Sequence, residues 1–244
     1  MIVSSLKDGW EIIYQRSHAN LAAMLVAAWC KEDHVARWTE LIIATAQHDD
    51  QEMFWNDSVH LTAIGAPLDF TQSPLDTSRM EAELVIANAY RQGLWIALLI
   101  SMHNSFLYEP KRGEDDNLDI FLEKQAENQK VWREMLGYTQ AISDAAYSFL
   151  RWADRLSLIL CRRQIPARGR QLDIAPTFNG EMTRIVQQDD GILCIDPWVF
   201  EDDELAVSVE VRRLKQLKFK SEEEFRDALD EAEIEHRQWT FKAP

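Results

Sequence analysis

Histidines and aspartates lie on the apolar faces of predicted helices in the first two thirds of this 244-residue chain. The clearest case is the pair His48-Asp49, which ends an apolar helical run. Burying a charge or an unpaired polar group costs free energy, so these side chains need partners inside the fold. A metal ion is the simplest single partner for several of them at once. The chain is therefore expected to fold so that they converge.

Helical periodicity dominates up to about residue 161, because apolar residues recur at three- and four-residue steps and Gly and Pro are sparse. The pattern predicts helices at about 9–30, 33–48, 78–107, 117–135 and 139–161. Between the second and third of them, residues 49–76 contain Gly65, Pro67 and Pro74 and predict a long loop. Loops of this length in a compact domain often have a function.

The pattern changes after residue 161, where Pro and Gly become frequent and short β-like runs follow at 183–187, 191–195 and 206–217. Asp190-Gly191 predicts a hairpin turn, and Ser221 predicts the N-cap of a last helix. Residues 238–242 are a further candidate strand. The predicted fold class is mainly α, a helical bundle with a small antiparallel β-sheet appended at the C-terminus. We expect a helical domain at 1–164 and a small α+β appendage at 165–244, packed on the first.

The composition narrows the functional classes. A net charge of -15 and a pI near 4.8 disfavour binding to nucleic acids and anionic membranes. The apolar runs at 21–30 and 94–102 are shorter than the ~20 residues that a membrane-spanning helix needs. Three cysteines without a Cys-x-x-Cys pair fit a reducing compartment. We expect a soluble cytoplasmic protein that acts on a small molecule, and homo-oligomerisation stays open.

Three further residues are candidate partners of His48-Asp49. His18 and His103 each lie on an apolar helix face, and Asp154 lies in the middle of another. Alternatives without a metal exist for all three. A buried histidine can bond a backbone carbonyl, and Asp154 can form a buried salt bridge with Arg16 or Arg155.

The order His, His-Asp, His, Asp on successive helices resembles the HD-domain superfamily of metal-dependent phosphohydrolases. The matching positions are His18, His48, Asp49 and Asp154, and His103 falls where multi-metal members place further histidines. The resemblance covers about residues 10–161. It implies an HD-like helical domain that binds a divalent metal between its helices.

Segments of the chain also look like a bacterial family of unknown function, which brings no activity with it. These segments lie at 46–50, 67–70, 102–104 and 154–158.

The chain departs from the superfamily at the pattern His-Asp-x-x-Lys, because Glu52 replaces the lysine. A lysine there would hold a phosphate group as a point charge. If phosphate is the substrate group, its binding has moved to other residues, for which Arg16 and Arg155 are candidates. Arg151 is better explained as a solvated helix charge.

Mixed imidazole and carboxylate ligands suit Mn²⁺, Fe²⁺, Co²⁺, Ni²⁺ or Zn²⁺, with one or two ions bound. Asp50 or Glu52 is the candidate general base, or part of a second metal site with His103. Trp55, with Phe54 and Phe70, is a candidate wall of the substrate pocket.

The leading functional hypothesis is a metal-dependent hydrolase of a phosphoester of a small molecule or nucleotide. A di-iron oxygenase on the same scaffold, a non-catalytic binding or regulatory protein, and a structural protein with satisfied core histidines are the alternatives.

Overall fold

The computed structural model describes residues 1–50 and 59–244. About 50% of the chain is helical and about 20% is strand. The helices of the described part are α1 Gln15–Ala27, α2 Trp38–Gln47, α3 Leu75–Gln92, α4 Leu94–Tyr108, α5 Asp116–Leu136, α6 Gln140–Cys161 and α7 Glu222–Asp230. The strands are β1 Ile2–Ser5, β2 Trp10–Ile13, β3 Leu172–Pro176, β4 Met182–Gln187, β5 Leu193–Asp196, β6 Glu204–Leu214 and β7 Glu233–Lys242.

The strands form one curled sheet in the order β1-β2-β6-β7-β5-β4-β3. The pairing of β5 with β7 is parallel and the other pairings are antiparallel, so the sheet is mixed. Its longest ladder joins β6 to β7, from Glu204 opposite Lys242 to Arg213 opposite Glu233. A sheet of this size forms a layer of the fold.

The predicted fold class was therefore wrong. The protein is not a mainly α, HD-like bundle with a small antiparallel sheet appended, because seven strands join in one large mixed sheet. Strands from both ends of the chain enter this sheet. The division at residues 164 and 165 stays a prediction, although β2 lies on its N-terminal side and pairs with β6 from the C-terminal side.

The predicted helix at 9–30 is the main local error. Its first turn is strand β2, where Trp10 pairs with Leu214, and helix α1 begins only at Gln15. A short apolar run of four residues fits a strand as well as a helix turn, so local periodicity cannot separate the two. The strand is fixed by a partner about 200 residues away in the sequence.

The other helices lie close to their predicted positions. The predicted helix 78–107 is two helices, α3 and α4, that meet at Gly93. Gly is a weak helix former, which explains why the break falls there. Helix α6 begins at the N-cap Thr139, whose side chain accepts a hydrogen bond from the backbone N–H of Ile142. Ser221 caps α7 as predicted and accepts from the N–H of Glu224.

The hydrophobic core is shared by the helices and the sheet. Trp29 lies fully buried between Phe149 and Trp152 of α6, with ring centroids 4.8 Å apart in each case. The indole N–H of Trp152 donates to the hydroxyl of Thr183 on β4 at 2.6 Å. Helices α1, α2 and α4 each pack on α6. The packing on α6 is what places the candidate site.

A buried carboxylate joins the two ends of the chain. Glu11 of β2 is 1% exposed and forms ion pairs with three arginines. Arg163 follows α6 and lies 2.9 Å away, Arg213 of β6 lies 3.7 Å away, and Arg237 of β7 is in direct contact. These charges connect β2, β6, β7 and the end of α6 at one point.

None of the helices in the described part of the chain has both the length and the apolar character that crossing a bilayer requires.

Candidate metal centre

Four helical segments bring five polar side chains together, which we call the His/Asp cluster. His18 projects from α1, His48 and Asp49 follow the end of α2, His103 lies on α4 and Asp154 on α6. All five are buried, and the two aspartates, at 8%, are the most exposed. The structure thus joins residues that are far apart in the sequence.

Four distances between imidazole and carboxylate atoms are those expected of ligands that share an ion. His18 Nε2 lies 2.8 Å from Asp49 Oδ2, and His48 Nε2 lies 3.3 Å from Asp154 Oδ1. The other two imidazole–carboxylate distances are 3.7 Å from His48 Nε2 to Asp49 Oδ2 and 4.0 Å from His18 Nε2 to Asp154 Oδ1. Atoms bound at ~2.0–2.2 Å to one ion lie from ~2.8 Å apart at right angles to ~4.4 Å apart across the ion. All four distances fall in this range.

His103 extends the cluster. His48, His103 and Asp154 form a second group whose ligand atoms all lie within 4.8 Å of one another. The rings of His48 and His103 meet edge to face, with centroids 4.7 Å apart. The first group, His18, His48 and Asp49, shares His48 with it. Both groups are buried and could hold a metal ion.

Outer partners fix the orientation of two imidazoles. His48 Nδ1–H donates to the carbonyl oxygen of Thr45 at 2.7 Å. The hydroxyl of Ser157 donates to the carbonyl oxygen of Asp154 at 2.8 Å, so its oxygen accepts from His18 Nδ1–H, also at 2.8 Å. Both histidines therefore direct Nε2 toward the carboxylates. Metal-binding histidines typically use their second ring nitrogen in this way.

Gln15 supports one of the carboxylates. Its side-chain amide donates to Asp49 Oδ2 at 3.0 Å, and it lies three residues before His18 on the same turn of α1. One helix turn therefore both supplies a candidate ligand and orients another.

The charges of the cluster influence one another strongly. Burial lowers the pKa of His48, but the Asp49 and Asp154 carboxylates outweigh this effect and raise the pKa to about 9. Burial raises the pKa values of Asp49 and Asp154, but the neighbouring imidazoles, His48 above all, hold both below the usual range. Burial and the nearby His48 lower the pKa of His103 to about 4. A divalent cation at this point would balance the charges of both carboxylates.

A pocket of about 210 Å³ reaches the cluster. Asp49, His103 and Asp154 line it, together with Phe70 and Tyr108. A small molecule in this pocket would contact the side of the cluster on which these three residues lie. Phe70, one of the three aromatic residues predicted to wall a pocket, lines this one. The other two, Phe54 and Trp55, lie outside the described residues.

Asp154 has no arginine partner within the described ranges, and its ion-pair neighbours there are the imidazoles of His48 and His18. The alternative of a salt bridge with Arg16 or Arg155 is thus not what the structure contains. Arg16 instead pairs with Asp50, its Nε 2.7 Å from Oδ1.

The other predicted site residues have mixed outcomes. Asp50 is half-buried beside Arg16 and is in neither metal-binding group. Arg155 is exposed on α6 and does not line the pocket. Glu52 and Trp55 lie outside the described residues. The roles assigned to these four residues stay predictions.

The match to known families covers most of the chain. Residues 1–216 match the family described as "Protein of unknown function (DUF3891)". The chain belongs to this family. The match contains the entire His/Asp cluster, whereas α7 and β7 lie beyond it. No curated protein and no solved structure matches the chain.

The resemblance to the HD-domain superfamily was wrong, because the matching family is DUF3891 and no HD-domain model matches. What the comparison supports is a family of unknown function. The resemblance depended on five residues, and a few histidines and aspartates on apolar helix faces are not specific to one family. They are what any helical metal site requires.

Sequence reasoning missed the supporting residues Gln15 and Ser157. Ser157 lies three residues after Asp154, one helix turn away on the same face, and this spacing was the available signal. Its partner His18 is 139 positions away in the sequence, so the hydrogen bond itself could only be found in the folded protein.

Ser157→Ala tests whether the outer partner matters. We expect a ~10–100-fold loss of affinity for a divalent transition metal, because His18 Nδ1 loses the acceptor that fixes its ring. Metal affinity is measured by competition with a chromogenic chelator. Ser148→Ala is the matched control, since Ser148 makes the same backbone bond on α6, to Ala145 at 2.7 Å. Equal affinities of the two variants would contradict the orienting role.

Proposed function

We propose that this protein is a metal-dependent hydrolase that cleaves a phosphoester of a small molecule. The observation that carries the proposal is the convergence of four buried ligand atoms, from His18, His48, Asp49 and Asp154, beside a pocket. A structural core would not need a pocket next to its buried charges. A hydrolase needs both.

The ligand set favours a divalent transition metal. Imidazole and carboxylate together suit Mn²⁺, Fe²⁺, Co²⁺, Ni²⁺ or Zn²⁺, whereas Ca²⁺ prefers oxygen ligands only. We propose one ion per chain. His48 is shared by both groups, but its Nδ1 is engaged by Thr45 and only Nε2 is available to an ion. His103 lies beside this ligand set, in the group with His48 and Asp154, and lines the pocket.

The reaction needs no oxidant or reductant. A water oxygen forms a bond to phosphorus, the bond from phosphorus to the ester oxygen breaks, and a proton from the water passes to the leaving alcohol. A divalent ion held by His18, His48, Asp49 and Asp154 would lower the pKa of the attacking water and polarise the phosphoryl group. The chain positions both reactants, through Asp49 and Asp154 at the ion and through the pocket wall around the ester.

The two main alternatives are a di-iron oxygenase and a non-catalytic binding protein, and the structure disfavours only the first. A di-iron oxygenase would draw on carboxylates around Asp50, but Asp50 pairs with Arg16 at 2.7 Å. A non-catalytic binding protein would use the same cluster and pocket, and it differs from the proposal only in the lack of turnover. The two are separated by experiment.

The test is metal content followed by turnover. Protein purified without chelator is expected to contain about one transition-metal ion per chain, and to release phosphate from p-nitrophenyl phosphate and short-chain phosphate esters. Chelation should abolish phosphate release, and one of the five metals should restore it. His48→Ala protein, purified by the same procedure as the wild type, controls for contaminating phosphatases.

Absence of bound metal, even after incubation with all five ions, would overturn the proposal. Bound metal without turnover of any ester would replace the hydrolase by a non-catalytic metal-binding protein.

A further inference from the structure

One wall of the pocket beside the His/Asp cluster carries a lysine, which was not among the residues predicted for the site. Lys111 ends the short 3-10 helix Glu109–Lys111, directly after α4, and lines the pocket with Asp49, His103 and Asp154. A lysine thus lies on the same small pocket as the candidate metal ligands. The protein as a whole is acidic, with a net charge of -15, so a lysine on this wall is opposite in sign to the overall charge.

Glu109, the acidic residue at the start of the same 3-10 helix, has another partner. It binds the guanidinium of Arg112 through both carboxylate oxygens, at 2.7 and 3.0 Å. The acidic residues that line the pocket with Lys111 are the candidate metal ligands Asp49 and Asp154. Among the side chains that the structure describes, Lys111 itself has no ion pair. Its charge is available to a ligand.

Hydroxyl groups accompany this lysine on the pocket wall. Ser73, Ser78 and Tyr108 line the pocket. Burial raises the pKa of Tyr108, so its phenol stays protonated and can donate. A cation with several hydroxyl donors suits a group that has several anionic oxygens, and a phosphoryl group has three.

We propose that Lys111 forms an anion subsite facing the metal centre, and that the substrate is a compact phosphate monoester whose phosphoryl group lies between the ion and the Lys111 ammonium. This inference rests on the proposed hydrolase function and names its substrate class. Lys111 then takes the phosphate-holding role that Glu52 cannot take.

The size of the pocket limits the rest of the substrate. Its volume of about 210 Å³ is below the ~300–1,000 Å³ of pockets that enclose drug-sized ligands. A short-chain or single-sugar phosphate therefore fits the pocket better than a nucleotide.

The arginines considered from sequence are less suitable. Arg16 is committed to Asp50, and Arg155 is not among the residues that line the pocket. Arg151 lies over the ring of Phe106, with its guanidinium carbon 5.6 Å from the ring centroid.

The test uses inorganic phosphate as the probe and calorimetry on the metal-loaded protein. We expect Lys111→Gln to weaken phosphate binding by ~10-fold or more while leaving the metal content unchanged, because a charge-assisted hydrogen bond is lost. Lys111→Arg, which keeps the charge, should retain most of the binding. Lys130→Gln, at an exposed lysine of α5, should bind like the wild type.

A second arm tests the size limit with the same protein. Glycerol 3-phosphate is expected to displace phosphate at ~10-fold lower concentration than adenosine 5'-monophosphate, because the larger ester exceeds the pocket. The reverse order would overturn the compact-substrate part of the inference.

The outcomes separate this inference from the function on which it rests. Equal phosphate affinity of wild-type and Lys111→Gln proteins, both loaded with metal, would overturn the anion subsite and leave the metal centre standing. Lys111-dependent phosphate binding without ester turnover would support the subsite and overturn the hydrolase. A wild-type protein that binds no metal would overturn both.

Discussion

Asp154→Asn is expected to weaken the binding of a divalent transition metal by at least ~100-fold, since even outer partners of metal ligands contribute ~10–100-fold. The amide keeps the shape of the side chain but removes one of the two negative charges in the cluster. Asp154 Oδ1 lies 3.3 Å from His48 Nε2, and the two atoms belong to one predicted coordination shell. Metal affinity is again measured by competition with a chromogenic chelator.

Asp144→Asn is the matched control for this effect. Asp144 is exposed on the same helix, α6, and in the described part of the chain its side chain accepts one hydrogen bond, from the side-chain amide of Gln140. Circular dichroism in the presence of chelator shows whether both variants keep the fold without metal. If Asp154→Asn binds metal as tightly as Asp144→Asn does, the shared-ion arrangement is wrong.

Glu11→Gln should lower the free energy of unfolding by ~3–5 kcal/mol, the range for breaking a buried ion pair by removing one partner. Glu11 is 1% exposed, and its charge is opposed by Arg163, Arg213 and Arg237. Loss of the carboxylate leaves these guanidinium groups facing one another between β2, β6 and β7. Urea denaturation followed by tryptophan fluorescence measures the change.

Glu210→Gln provides the comparison, because Glu210 is exposed on β6 of the same sheet. Its effect should stay within ~0.5 kcal/mol, as is usual for surface positions. A Glu11→Gln protein as stable as the Glu210→Gln protein would show that the arginines do not depend on Glu11.

The contribution of Glu11 should also depend on pH. Burial raises the pKa of Glu11, but Arg237 and Arg163 outweigh this effect and hold the pKa below its usual value of 4.5. A depressed pKa in the folded state means that the stabilisation is complete above about pH 4.5 and is lost as the pH falls through the folded-state value. The difference in stability between the wild-type and Glu11→Gln proteins should therefore shrink as the pH falls below that range. A difference that stays constant down to pH 2 would contradict the assignment.

Most helices could be predicted from local pattern. Helix α6 spans Gln140–Cys161, against a predicted 139–161, because its apolar stripe and its Thr139 cap are both properties of neighbouring residues. The candidate ligands could be predicted for a similar reason. Asp154 and His103 stand out because each interrupts an apolar helix face, and the free-energy cost of burying them requires partners.

The sheet could not be predicted in the same way. Strands β1 and β2 are short, and β2 pairs with β6 about 200 residues later, so its conformation depends on a non-local contact. The same limit applies to the pocket. Lys111 follows α4 and Ser157 lies on α6, and only the packing of α1, α4 and α6 brings them to the cluster.

By itself, the sequence determined that buried imidazoles and carboxylates on several helices must find partners, since their burial is too costly otherwise. The tertiary structure alone decided which atoms meet, at 2.8 to 4.0 Å, and that a pocket lined by Lys111 adjoins them. The physical reason is the range of the interactions. Helix periodicity and capping act within a few residues, whereas strand pairing, hydrogen bonds between helices and the shape of a cavity depend on contacts between distant parts of the chain.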